Sequence, residues 1–111
     1  MSFIYDVSER FYKEVAASTT ETSDYIPSDG EKLFIVNAGL SSSSAPETVV
    51  HICWDPGGDD EVIVSSYGEA YHRELNINKT GDGIKIMRIS LVNDMTEPSF
   101  LGGFWQAVIN L

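Results

Sequence analysis

Cysteine is almost absent from this chain. Its 111 residues contain one, Cys53, so no intramolecular disulfide supports the fold and no multi-cysteine zinc site can be built. Basic residues are also scarce: Lys and Arg number 7 against 17 Asp and Glu, for a net charge of −10. Those few cations are scattered rather than gathered into a stripe. Nothing therefore neutralises a run of phosphates, which argues against nucleic-acid binding and equally against an anionic membrane surface. There is no apolar run of about 18 residues, the length a membrane helix requires. The opening Met1-Ser2-Phe3-Ile4-Tyr5-Asp6 has neither the basic nor the long apolar region of a secretory signal, so synthesis in the cytoplasm without a signal peptide is expected. Catalytic motifs are missing too. The chain has no Gly-x-Ser-x-Gly elbow, no His-x-x-x-His pair and no recognisable Cys-His motif, so neither enzymatic activity nor a cofactor is expected.

What remains is the composition of an ordinary folded protein, 42% hydrophobic and 22% charged. The length fits a single domain over residues 1–111 with one core. The most legible stretch is Thr48–Ser66. Val50, Ile52 and Trp54 share one side of an extended segment, Asp55-Pro56-Gly57-Gly58-Asp59 forms a turn, and Val62 and Val64 begin a second alternating run. Pro56 pre-sets φ for the second turn position and a following glycine accepts positive φ, so the stretch predicts a β-hairpin.

Elsewhere the pattern is again of short strands between turn signals. Met1–Ser18 is ambiguous between a short helix and a strand, with the polar residues that follow favouring a strand for its second half. Residues 1–30 are expected to be a loosely attached N-terminal arm or an edge strand. Asp29-Gly30 marks a turn before Glu31–Leu40, where Leu33, Ile35 and Asn37 alternate with Phe34, Val36 and Ala38. Both faces of that run are largely apolar, which predicts a central strand. Ser41–Pro46 is a connection, Ser65–Glu69 another, and Ala70–Ile77 a strand. Asn78–Gly83 is a turn, Ile84–Asn93 the best-patterned strand, and Asp94–Ser99 a loop. Leu101-Gly102-Gly103 precedes the last strand, Phe104–Leu111. Seven or eight strands without an internal repeat predict an all-β, antiparallel β-sandwich or jelly-roll-like domain.

Few residues stand out for chemistry. Asp55, Asp59, Asp60 and Glu61 crowd one turn, and hard carboxylate oxygens on a flexible loop make Asp55, Asp59 and Asp60 a candidate calcium set, although the spacing is not that of an EF-hand and turn chemistry explains the residues without a metal. Asp82 and Asp94 join that set only if their loops lie at the same end. His51 and His72 fall within strands without a partner motif, and Cys53 reads as a small buried side chain. Among the aromatics Tyr5, Tyr12, Tyr25, Tyr67, Tyr71, Trp54 and Trp105, the tryptophans sit where strands need large core residues. Tyr67 and Tyr71 are the pair expected at the surface, where flat rings suit sugar stacking.

Three segments, Ile52-Cys53-Trp54-Asp55-Pro56-Gly57-Gly58, Thr80-Gly81-Asp82-Gly83 and Leu101-Gly102-Gly103-Phe104-Trp105, resemble those of small β-sandwich virion proteins, the head, neck or tail accessory proteins of tailed bacteriophages. The resemblance runs from about Gly30 to Asn110 and rests on turn and core patterns. It implies a non-enzymatic structural or interaction module that self-associates and joins other virion proteins. The alternative is a carbohydrate-binding β-sandwich, with or without calcium, using Tyr67, Tyr71, Asp55 and Asp59.

Overall fold

A computed structural model describes the backbone of residues 4–41, 47–67 and 70–110 and the side chains of residues 6–41, 47–65 and 74–109. Eight strands build it: β1 (Ile4–Val15), β2 (Thr19–Tyr25), β3 (Lys32–Ser41), β4 (Thr48–Trp54), β5 (Glu61–Tyr67), β6 (Ala70–Thr80), β7 (Met87–Asn93) and β8 (Ser99–Asn110). They form two four-stranded antiparallel sheets, in the orders β1-β8-β3-β6 and β2-β7-β4-β5.

The pairing has a simple origin. β4 pairs with β5, β3 with β6, β2 with β7 and β1 with β8. The chain is one long double strand with the β4–β5 hairpin at its tip, rolled so that successive pairs fall in alternate sheets. This is a jelly roll, an arrangement that places apolar alternation from both sheets in one core. The long sheet contributes Leu33, Ile35, Ala38 and Leu40 from β3, and Leu101, Trp105, Ala107 and Ile109 from β8. From the short sheet come Val50, Ile52 and Trp54, then Met87, Ile89 and Leu91. Both tryptophans are therefore core, as their strand positions imply.

Several boundaries differ from the sequence reading, each for a physical reason. Of the two readings of residues 1–30, arm or edge strand, the described part takes the second: β1 and β2 are full edge strands, one in each sheet, and neither contains a helix. Glu9 and Lys13 interrupt the apolar row Val7, Phe11, Val15, and that interruption obscures the strand in the sequence. In β3 a register shift between Ile35 and Asn37 breaks simple alternation. Ala38 and Leu40 join Leu33 in the core while Asn37 turns outward, where its Nδ2 donates to Gln106 Oε1 at 2.8 Å. β3 is central, but its outer face is not covered: Phe34 remains 39% exposed.

β7 starts at Met87 rather than Ile84, β6 runs on to Thr80, and β5 to Tyr67. A second register shift, at Ile52/Cys53, sets Val62 opposite outward-facing Cys53, so Val64 enters the core and Val62 does not. Most unexpectedly, β8 begins at Ser99 and carries Gly102-Gly103 inside it. Glycine normally weakens a strand interior, but a Cβ on Gly102 would overlap the ring of Tyr12 on β1. The expected connection at residues 42–46 lies outside the described residues.

Asn93 closes one end of the sandwich. Fully buried, its Nδ2 donates to Val15 O at 3.0 Å and Glu97 O at 2.9 Å, and its Oδ1 accepts from Met95 N at 2.9 Å. One amide thus satisfies backbone groups of both the β1–β2 and β7–β8 connections. At the other end buried Glu31 accepts from Tyr25 Oη at 2.7 Å and from Ser28 N at 3.1 Å, while the Tyr25 ring meets Trp105 edge-on at 5.4 Å.

Candidate functional site

Three places gather polar or aromatic side chains: the acidic turn, the outer face of the short sheet beside it, and the outer face of the long sheet.

In the acidic turn the carboxylates are engaged one by one. Asp55 and Asp60 adopt left-handed backbone, at φ 54° and 52°, and Gly57 does so at 87°. Aspartate tolerates this region because its short side chain bonds locally. Asp55 O accepts from Gly58 N at 3.0 Å and Asp60 N at 2.8 Å, and Asp55 Oδ2 accepts from Asp59 N at 2.8 Å. Asp59 pairs with Lys85 at 3.0 Å, Asp60 Oδ1 accepts from the Cys53 thiol at 3.4 Å, and Glu61 pairs with Lys79.

The 81–86 loop does lie at this end, anchored by Asp55 N donating to Ile86 O at 2.8 Å. It brings a cation, Lys85, rather than a further ligand. Asp82 Oδ1 accepts from Ile84 N and Lys85 N, which hold its carboxyl below the usual range. Asp94 belongs to the opposite end, where its N donates to Glu47 O at 3.0 Å. A cleft of about 250 Å³ there is lined by Glu47, Asp94, Met95, Thr96 and Glu97. Among the described residues no three His, Cys, Asp or Glu side chains are placed to hold a metal ion.

The outer face of the short sheet carries His51 and Cys53, two residues apart on β4. Burial pushes the Cys53 thiol up to about 11, helped by its hydrogen bond to Asp60 and by that carboxylate's charge. It is protonated at neutral pH, the opposite of an activated nucleophile. Burial also lowers the His51 pKa, against a smaller upward pull from Asp60, so its imidazole is neutral at pH 7. Beside them Arg88 grips Asp24 through two bonds, Nε to Oδ1 at 2.7 Å and Nη2 to Oδ2 at 3.0 Å.

The outer face of the long sheet is different in kind. β8 sends Phe100, Gly102, Phe104, Gln106 and Val108 outward, and β1 sets Glu14, Tyr12 and Arg10 directly opposite the first three. Phe100 is 74% and Tyr12 49% exposed. Tyr12 lies over Gly102, and Phe104 lies over Gly39, where a Cβ would overlap its ring. Arg10 stacks on Phe104, its Cζ 5.0 Å from the ring centroid. The glycines are flat beds for rings supplied by neighbouring strands.

Sequence reasoning did not single out this face, because Phe104 and Phe34 look like core residues in an alternating strand. The paired signal available was a glycine in β8 opposite an aromatic in β1, which is readable only once the register is known. Of the two tyrosines expected at the surface, Tyr67 ends β5 and Tyr71 lies near the start of β6. Their side chains lie outside the described part of the structure. Asp55 and Asp59 share the acidic turn, where Asp55 Oδ2 accepts from Asp59 N and the Asp59 carboxylate pairs with Lys85.

No protein-family model matches the sequence, and no curated protein matches it. Likeness appears among solved structures. A chain from Bacillus endospore appendages, described as a family of disulfide-linked pili, is similar at TM-score 0.51 and 10% identity, over 96% of this chain and 89% of that one. A chain of infectious bursal disease virus, Gx strain, is similar at TM-score 0.50 and 11% identity; this chain is covered in full and spans 32% of the viral one. A chain of the Helicobacter pylori bacteriophage KHP30 capsid gives TM-score 0.49 and 13% identity, over 100% and 94%. At such identities the likeness is one of fold.

Proposed function

We propose that this protein is a non-enzymatic structural module that self-associates and is incorporated, with other structural proteins, in a phage-type virion. The observation that carries this reading is the outer face of the long sheet, where Phe100 and Tyr12 expose neighbouring rings and Phe34 exposes a third farther along the same rigid surface. Exposed apolar surface of this kind marks sites of interaction with other molecules. The fold itself supports the reading, since it is similar to that of a chain from endospore appendages described as pili and to part of a chain of a virus. Light scattering and sedimentation velocity over a wide concentration range provide the test. Concentration-dependent growth in mass is expected, and a monomer at every concentration sinks the reading.

A second reading is carbohydrate recognition, favoured by the same exposed rings sharing their face with the Asn37–Gln106 amide pair, since aromatic faces with a few polar groups suit sugars. Tyr67, Tyr71, Asp55 and Asp59 belong to this reading too, with calcium held by Asp55, Asp59 and Asp60. A glycan array probed with and without calcium decides it, and titration calorimetry with Ca²⁺ giving no heat removes the metal.

A further inference from the structure

The four sheet edges are not equivalent. β6 and β5 each lie against a neighbour with a register shift, at Ile35/Asn37 and Ile52/Cys53, and such irregularities discourage pairing with another chain. β2 is short, seven residues, and its charged side chains Glu21 and Asp24 are already paired within the chain, with Lys13 and Arg88. β1 alone is long and unbroken: its twelve residues keep one register against β8, and nothing in the sheet order covers its other edge.

The side chains of β1 are arranged for a copy of themselves. Its inward row reads Val7, Glu9, Phe11, Lys13, Val15. Reversed about Phe11, this row sets Val7 against Val15, Glu9 against Lys13 and Phe11 against Phe11. The outward row follows suit, with Ser8 meeting Glu14 and Arg10 meeting Tyr12. Directly opposed residues in an antiparallel pair must share a face, so the centre of symmetry can move only one whole residue at a time. Centring on Arg10 opposes Arg10 to Arg10 and Asp6 to Glu14, and centring on Glu9 opposes Glu9 to Glu9. Centring on Tyr12 pairs Arg10 with Glu14 but sets Glu9 against Val15 and shortens the overlap. Only the Phe11 register satisfies both rows.

We propose that two copies of this chain pair antiparallel through β1, centred on Phe11, to form one continuous eight-stranded sheet. This names the contact for the self-association argued above, and rests on that reading. Inward charges on an edge strand normally guard against such pairing, but here Glu9 and Lys13 complement each other across the two-fold axis. Because the same surface is used by both partners, the contact closes at a dimer instead of growing into a filament. Larger assemblies then use the aromatic face.

The test is a charge swap. Glu9→Lys alone sets a cation against Lys13, and Lys13→Glu alone sets acid against acid. Each single variant is expected to weaken dimerisation at least about tenfold in sedimentation velocity, since like charges then oppose each other twice. Mixed together, the two variants regain the wild-type affinity as a heterodimer, and the E9K/K13E double variant regains it alone. Thermal melts check folding, since Lys13→Glu also removes the Lys13–Glu21 pair at 3.1 Å. If the wild type associates but neither single variant weakens it, or the mixture shows no recovery, the β1 contact is wrong while self-association stands. A wild type that never associates overturns both.

Discussion

The outer faces of the two sheets obey the same alternation and are put to opposite use. On the short sheet the outward polar groups find partners locally, with Arg88 holding Asp24 and the Cys53 thiol donating to Asp60, beside an exposed aliphatic side chain, Val62. The long sheet carries rings laid over glycine, with Tyr12 on Gly102 and Phe104 on Gly39. The polar groups of the first face are matched within the fold. The second keeps aromatic area in contact with water, a cost that folding alone does not require and that the proposed association would recover. Alternation thus says which residues leave the core, and only their neighbours say what they do outside it.

The sharpest way to break this contrast uses the two sides of β8. Trp105, 1% exposed, should cost about 3–5 kcal/mol when changed to Ala, in urea or thermal unfolding. Phe100→Ala, one face over, should change monomer stability by no more than about 0.5 kcal/mol while reducing self-association. A Phe100→Ala cost near that of Trp105 would mean the face is covered within the monomer. Next in size is Gly102→Val, which must displace the Tyr12 ring and should cost about 1–3 kcal/mol. Adding Tyr12→Ala should recover part of that loss, and a purely additive double mutant would show that the ring does not occupy the glycine bed.

On the short sheet, Asp24→Ala should cost at most about 1 kcal/mol despite its two-pronged partner, because the pair is partly solvated. Its cost should shrink with added salt, whereas the Phe100 effect on association should not. Smallest in ordinary buffer is the effect of Cys53. With its thiol raised from 9.0 to about 11, the folded state holds that proton more tightly than the unfolded state. Its contribution to stability is therefore complete below about pH 9 and is lost as pH climbs toward about 11. Alkylation of the native protein at pH 8 should be far slower than that of the urea-unfolded chain. Equal rates would place the thiol in the solvent.

Local signals carried much of this architecture. The Asp55–Asp60 turn could be read because proline, glycine and aspartate each have a specific turn chemistry, and Trp54 and Trp105 because large apolar residues at alternating positions must go inward. The β1 strand was hidden by Glu9 and Lys13, whose inward positions make sense only beside an open edge. Gly102-Gly103 looked like a strand boundary since the ring that fills Gly102 comes from Tyr12, at the other end of the chain. The shift at Ile35/Asn37 could not be anticipated either, because a bulge is set by the strands on both sides and not by the residues within it.

By itself, then, the sequence determined an all-β chain with one core, a hairpin at Thr48–Ser66, and a net charge of −10. These follow from two-residue periodicity, turn residues and charge, which act over a few positions. Tertiary structure alone decided that the hairpin is the tip of a rolled double strand, that the acidic turn binds its own backbone and Lys85, and that rings from β1 and β8 share an outer face. Each of those depends on strand register, and register is chosen by how distant segments bury their apolar rows together.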